Sequence, residues 1–172
     1  LQPTAMIGPY DYYPSYIGKA LLALAQGHVP ALVRGGFDWV DVRDVVQAAV
    51  QAEAKAESGA SYILSGQWRS VRQIAELTAE LTGRKAPLLT VPTGLATLAA
   101  PLMSALASFN NSQPIYTRLT LDALKSNRQI SHAKASRDLG YQPRPLAETL
   151  QDTLDWFAQN GYLRGSRSAG HD

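Results

Sequence analysis

The run Phe37-Asp38-Trp39-Val40-Asp41-Val42-Arg43-Asp44-Val45-Val46 passes without a break from a strand into a helix, and it sets the fold class. Phe37 to Val40 reads as a short extended piece. Asp41 then stands where a helix cap belongs, and Val42, Val45, Val46, Ala49 and Val50 recur at helical spacing through to about Lys55. Asp41 and Asp44 place two carboxylates in the first turn, where the helix dipole favours anions. They could be drawn as a general acid and base, but capping accounts for both, and neither is assigned a catalytic role.

The same alternation continues on either side. Leu1 to Ile7 reads as one buried strand stopped by Gly8-Pro9, followed by an aromatic loop of Tyr10, Asp11, Tyr12, Tyr13 and Pro14. From Ser15, the residues Ile17, Ala20, Leu21 and Leu24 fall on one helix face, and Gly27 with Pro30 ends it. Leu32-Val33 is a further extended piece, joined to Phe37–Val40 through Arg34-Gly35-Gly36 as a tight connection. Downstream, Ser61 to Ser65 is a strand, and Ser70 with Gln73 forms a capping box ahead of a helix that Gly83 closes. Leu88 to Val91 is extended, Pro92-Thr93 starts an apolar helix to Ser108 read as a lid or core helix, and Asn110 to Pro114 is a linker. Short helices follow near 120–126 and Ala133–Leu139, then an amphipathic helix from Leu146 that stops at Asn160-Gly161. Strands alternating with helices imply parallel pairing covered by helices, an α/β class. The strands are few, and the one at the N-terminus needs a partner or sits as an exposed edge.

Composition excludes several chemistries. The 172 residues are 45% hydrophobic and 17% charged with a formal charge of +2, so a packed core is expected and no basic stripe for nucleic acid stands out. Cysteine is absent, which removes disulfides, thiolate nucleophiles and cysteine metal sites. His28, His132 and His171 lack companions at metal-ligand spacing, and no Gly-x-Ser-x-Gly elbow occurs. The stretch Leu95 to Leu106 falls well short of the ~20 residues that cross a bilayer. With no signal segment evident, Asn110-Asn111-Ser112 is a coincidental sequon and a cytoplasmic location is expected. A first residue of Leu1 suggests part of a longer chain, whether engineered, cut by proteolysis or encoded by a truncated gene.

Four segments, in order and spacing, resemble the C-terminal half of extended short-chain dehydrogenases/reductases. They are Leu1 to Pro9, Phe37 to Val45, Tyr62-Ile63-Leu64-Ser65-Gly66, and Leu139-Gly140-Tyr141-Gln142-Pro143-Arg144. The resemblance covers residues 1–163, leaves 164–172 as a flexible tail, and is greatest to the NAD-dependent epimerase/dehydratase group on its dihydroflavonol reductase-like branch. It implies a partial Rossmann-type parallel sheet with flanking helices and a helical substrate-binding subdomain. The N-terminal dinucleotide-binding half is lacking: no two of the thirteen glycines stand two apart, and no lysine has tyrosine four residues before it.

The resemblance therefore implies the substrate-binding half of an NAD(P)-dependent oxidoreductase whose intact parent reduces a ketone or aldehyde by hydride transfer. NAD or NADP belongs to that parent, and this chain alone is expected to be inactive and to hold neither. By the same resemblance Pro3, Thr4, Ile7, Gly8 and Pro9 form the cofactor edge beside the nicotinamide. Tyr10, Tyr12, Tyr13, Phe37 and Trp39 border the substrate, with Tyr12 and Trp39 foremost. The segment 85–113 is apolar and short of the arginines that grip a diphosphate, which favours a carbonyl substrate over a sugar nucleotide. A nucleotide-sugar epimerase or dehydratase half is the alternative, and a non-catalytic binding or regulatory module is another. The implied partners are that small molecule and either the missing N-terminal half or a second copy, with no nucleic acid, membrane or metal.

Overall fold

A computed structural model of the chain describes residues 1–92, 94 and 128–163. The expected apolar helix after Pro92, the linker 110–114, the helix near 120–126 and the tail 164–172 lie outside the described residues.

The elements run β1 (Gln2–Pro3), β2 (Ala5–Ile7), α1 (Tyr16–Gln26), β3 (Ala31–Val33), β4 (Gly36–Asp41), α2 (Val42–Lys55), β5 (Ile63–Leu64), β6 (Gln67–Ser70), α3 (Val71–Thr82), β7 (Leu89–Val91), α4 (Ala133–Leu139) and α5 (Leu146–Gln159). The mixed α/β class and the parallel pairing are as the alternation implied. β1 runs parallel to β5, β2 to β4, and β3 to β7.

Three details differ from the sequence reading. The N-terminal strand is broken at Thr4, and its two parts pair with different partners. The reason lies in a buried acid: Asp38 Oδ1 accepts from Thr4 Oγ1 and from the Gly66 amide, both at 2.7 Å, which pins the break to β4 and to the β5–β6 turn. Next, β3 and β4 do not pair with each other, because Gly35 (φ 136°) turns the chain out of one ladder and into another. Last, Gln67–Ser70, to which the sequence reading assigned no element, is a strand. It lies antiparallel to β4 with Gly36 opposite Ser70 and Trp39 opposite Gln67. Only glycine fits at 66, where a Cβ would sit 2.0 Å from the Trp39 carbonyl oxygen.

β4 is the central strand and alternates faces with period two. Trp39 points into a core built with Ile7, Leu21, Ile74, Leu150 and Phe157, the layer of α1, α3 and α5. Val40 points into the other, with Ala48, Leu64, Leu139 and Tyr141, the layer of α2 and α4. Helix α5 carries the first core, with Leu150 and Phe157 fully buried. At about 1.5–3 kcal/mol for each large apolar side chain buried, that face makes α5 integral to the sheet and not an appendage.

The helix termini follow their sequence signals. Ser15, Asp41 and Ser70 are side-chain N-caps, Ser70 and Gln73 close a reciprocal capping box, and Gly27, Gly83 and Gly140 end helices in the left-handed conformation. Among the described residues no helix is long and apolar enough to cross a membrane.

Candidate functional site

In parallel α/β layers, ligands bind beyond the carboxyl ends of the strands, where loops and helix N-termini meet. Beyond the end of β2 the structure has a groove of about 680 Å³. Ile7, Gly8, Pro9 and Tyr10 form its floor, Ser15 and Gly18 at the start of α1 one wall, and Val42 and Arg43 at the start of α2 the other. It then runs along α2 past Met6, Val46 and Val50.

Its floor is held rigid from both sides. Gly8 approaches α2 so closely that a Cβ there would lie 2.5 Å from Val42 Cγ1. Tyr10 has φ 72°, a left-handed conformation that costs a non-glycine residue on the order of 1 kcal/mol. The neighbouring loop offsets that cost. Asp11 accepts from the Ser15 amide at 2.9 Å and from its hydroxyl at 2.9 Å, and Ser15 Oγ accepts from the Gly18 amide at 3.1 Å. Tyr12 meets Trp156 edge-on at 5.0 Å between ring centroids, Tyr10 does so at 6.2 Å, and Tyr162 stacks on Trp156 at 5.8 Å. The tyrosine loop is thus fastened to the end of α5 by ring contacts.

The charges beside the groove are mutually satisfied. Asp41, its side chain wholly buried, accepts from the Arg43 amide at 2.7 Å and pairs with the Arg43 guanidinium at 2.7 Å. Burial works against its charge, but the Arg43 side chain and amide and the Thr149 hydroxyl outweigh it and hold Asp41 below the usual carboxylate range. The second arm of Arg43 meets Asp152 at 2.7 Å, and pairing with Asp41 raises its already high pKa. Asp44 reaches across the chain to Arg144, accepting from its amide at 2.8 Å and its Nε at 2.9 Å. Asp41 is the cap that the sequence implied, whereas Asp44 also clamps the segment before α5 to α2. That long-range role leaves no local signal.

Not all the expected site residues meet here. Ile7, Gly8, Pro9 and Tyr10 line the groove, while Pro3, Thr4, Tyr12, Tyr13, Phe37 and Trp39 do not. Trp39 is core: it is 7% exposed, and its indole N–H donates to the Arg69 carbonyl at 3.1 Å. Phe37 packs edge-on against it at 5.3 Å, Thr4 is held by Asp38, and Tyr13 is 94% exposed. Residues the sequence reading did not single out, Met6, Gly18, Val42 and Arg43, complete the lining. Gly18 could have been found from its place in the first turn of an amphipathic helix.

The charged groups that line the groove are engaged within the chain. Among the described lining residues its acid, Asp11, is fixed as a turn acceptor and its cation, Arg43, is doubly paired. The described residues hold no cluster of histidine and acidic side chains fit for a metal.

No protein-family model matches the chain. Among curated proteins it is 31% identical over 167 residues to sterol demethylase protein B of Methylococcus capsulatus, covering 95% of this chain and 50% of that protein. It is 29% identical to a putative dihydroflavonol 4-reductase of Synechocystis, covering 95% and 49%. Short-chain dehydrogenase/reductase family 42E member 1 of Bos taurus is 28% identical, with 95% and 44% covered. The relatives are of the short-chain dehydrogenase/reductase type, and the chain is similar to part of such a domain. A solved nucleoside-diphosphate-sugar epimerase from Pseudomonas aeruginosa superposes with a TM-score of 0.72 at 23% identity, over 94% of this chain and 48% of that one, which places the fold in the Rossmann-like class. The chain spans about half the length of the curated relatives it matches.

Proposed function

We propose that this chain is the substrate-side half of an NAD(P)-dependent reductase, one wall of a pocket in which a ketone or aldehyde accepts hydride. The observation that carries the reading is the groove at the end of β2: largely apolar, with its described carboxylate, Asp11, and its described cation, Arg43, both already engaged.

The residues present fit the nicotinamide end of such a cofactor. The cradle at Gly8 has no room for a side chain, so backbone alone forms the floor there, with Ile7 and Pro9 on either side. They do not fit its pyrophosphate, because the sequence has no glycine-rich turn and Arg43 is spoken for by Asp41 and Asp152. When bound, the nicotinamide supplies a hydride. This chain's part is to seat the ring edge against Ile7, Gly8 and Pro9, to exclude water with Met6, Val42 and Tyr10, and to hold the substrate in reach. The proton for the carbonyl oxygen comes from a tyrosine with a lysine four residues on, a pair that this sequence does not contain.

The engaged Arg43 also favours a carbonyl compound over a sugar nucleotide, whose diphosphate needs free cations. The likeness to a nucleoside-diphosphate-sugar epimerase supports the second reading, a half of an epimerase or dehydratase.

Two measurements test the proposal. Titrated alone with NADPH, the chain shows no binding in the micromolar range; micromolar affinity would mean that the chain has a phosphate cradle after all. Joined to the part of the M. capsulatus relative that the match leaves out, it consumes NADPH with apolar ketones or aldehydes. Turnover only of a sugar nucleotide would decide for the second reading.

A further inference from the structure

The sequence has four asparagines, and Asn160 is the one followed by glycine. The pair that stops α5 is therefore also the dipeptide of this chain most open to an intramolecular reaction. The backbone nitrogen of a following residue can attack an asparagine's side-chain carbonyl carbon, and its approach is least hindered where that residue has no Cβ. Both residues are exposed, Asn160 as the C-cap of α5 and Gly161, with φ 79°, just beyond it.

In the folded chain both reacting groups are occupied. The Gly161 amide donates to the Ala158 carbonyl at 3.2 Å, which keeps its proton in place, and Asn160 Nδ2, the nitrogen that has to leave, donates to the Trp156 carbonyl at 2.8 Å. The residue that follows holds this last turn shut. Tyr162 donates its amide to the Phe157 carbonyl at 2.9 Å and stacks on Trp156 at 5.8 Å. Its carbonyl accepts from Gln26 Nε2 at 3.0 Å, and its hydroxyl donates to the Tyr12 carbonyl. One side chain and its backbone thus join the end of α5 to α1 and to the tyrosine loop at the groove.

We propose that Asn160 is a deamidation site gated by Tyr162, and that its conversion releases the tyrosine loop from the end of α5. When the turn opens, the Gly161 nitrogen loses its proton to solvent and bonds to Asn160 Cγ. The Cγ–Nδ2 bond breaks, the nitrogen takes up a proton and leaves as ammonia, and a cyclic imide remains. Water then adds to one of the two imide carbonyls and opens the ring to aspartate or to isoaspartate. Neither product restores the turn. Aspartate sets a carboxylate against the Trp156 carbonyl, acceptor against acceptor, at the helix end where the dipole disfavours an anion. Isoaspartate routes the main chain through the side-chain methylene, which lengthens the path from α5 to Tyr162 and shifts that residue from Trp156, Gln26 and Tyr12 together.

The chain and its Tyr162→Ala and Gln26→Ala variants are incubated at mildly alkaline pH, and conversion at each asparagine is followed by peptide mass spectrometry with Asn111 as an internal clock. Relative to Asn111, conversion at Asn160 rises roughly tenfold in Tyr162→Ala, because local opening becomes more frequent. It rises by a smaller factor in Gln26→Ala, which removes one anchor and leaves the ring packing of α5 in place. Amide hydrogen exchange reads the release at Tyr12, whose amide bonds the Tyr10 carbonyl, and at Ser15, whose amide bonds Asp11. Exchange there is roughly tenfold faster in the converted chain and in Asn160→Asp, while Asn160→Gln, which keeps a donor, and the amides of α4 stay within about twofold of the untreated chain. No conversion at Asn160 in any of the three proteins overturns the site. An unchanged ratio in both variants overturns the gating by Tyr162, and unchanged exchange at Tyr12 and Ser15 after conversion overturns the release.

Discussion

Replacing Asp38 tests whether the broken N-terminal strand is held by a single buried carboxyl. One oxygen, on a residue 5% exposed, accepts from the Thr4 hydroxyl and the Gly66 amide, both at 2.7 Å. Hydrogen bonds to a charged acceptor contribute about 1.5–3 kcal/mol each, so the two together set an upper limit of roughly 3–6 kcal/mol. Two effects reduce it. Thr4 Oγ1 can turn to the Leu64 carbonyl, already 3.4 Å away, and Asp38→Ala relieves the carboxyl of its own desolvation. The Gly66 amide has no such alternative in the structure. We expect Asp38→Ala to cost about 2–3 kcal/mol, or roughly 4–12 °C in Tm for a chain of this size. Asp38→Asn keeps an acceptor in place and should cost about 1 kcal/mol. Urea unfolding followed by tryptophan fluorescence measures both, since Trp39 sits beside the substituted residue, with amide exchange at Thr4 to Ile7 as the local readout. A loss below about 0.5 kcal/mol for alanine, or an asparagine variant as damaged as alanine, would refute the argument.

Other expectations follow from the same geometry. Asp44→Ala leaves Arg144, still partly solvated and 3.6 Å from Glu148, without its main partner; a loss of about 2–3 kcal/mol is expected, and a double-mutant cycle with Arg144→Met should show coupling above about 1 kcal/mol. Because Asp41 is held below the usual carboxylate range, its contribution is present above about pH 4 and is lost as pH falls through its lower folded value; Asp41→Asn should flatten the acid limb of a stability–pH curve. Burial first, then Asp44, Asp38 and Asp41, push the Tyr141 phenol up, so its contribution persists to about pH 10 and is lost above that; Tyr141→Phe should remove this alkaline limb in the same titration. Trp39→Phe, which removes the indole donor to the Arg69 carbonyl, should lower stability by about 1–2 kcal/mol and leave any ligand affinity of the joined protein within threefold.

Much of the local structure is set along the chain. Ser15, Asp41, Ser70, Gly27, Gly83 and Gly140 act on their own helix ends through bonds spanning two to five residues, so their positions suffice to place these ends of α1, α2, α3 and α4. The parallel α/β class follows from the order of strands and helices, because parallel neighbours require crossovers. Of the candidate site, Ile7, Gly8, Pro9 and Tyr10 are named through the resemblance of the N-terminal segment to the family, and these four line the groove, whereas the other expected residues do not.

Tertiary structure alone decided which aromatic residues are wall and which are core, and where the apolar side of α2 points. Trp39 and Val46 each sit in a pattern with two available faces, and period alone does not say which face the rest of the chain covers. That choice depends on contacts with residues far along the chain, Phe157 beneath Trp39 and Arg144 across from Asp44, whose free energies no local stretch contains. The break at Thr4 is of the same kind. Between Leu1 and Ile7 only Pro3, which has no ladder donor, hints at it, and the group that fixes it, the carboxyl of Asp38, lies on another strand.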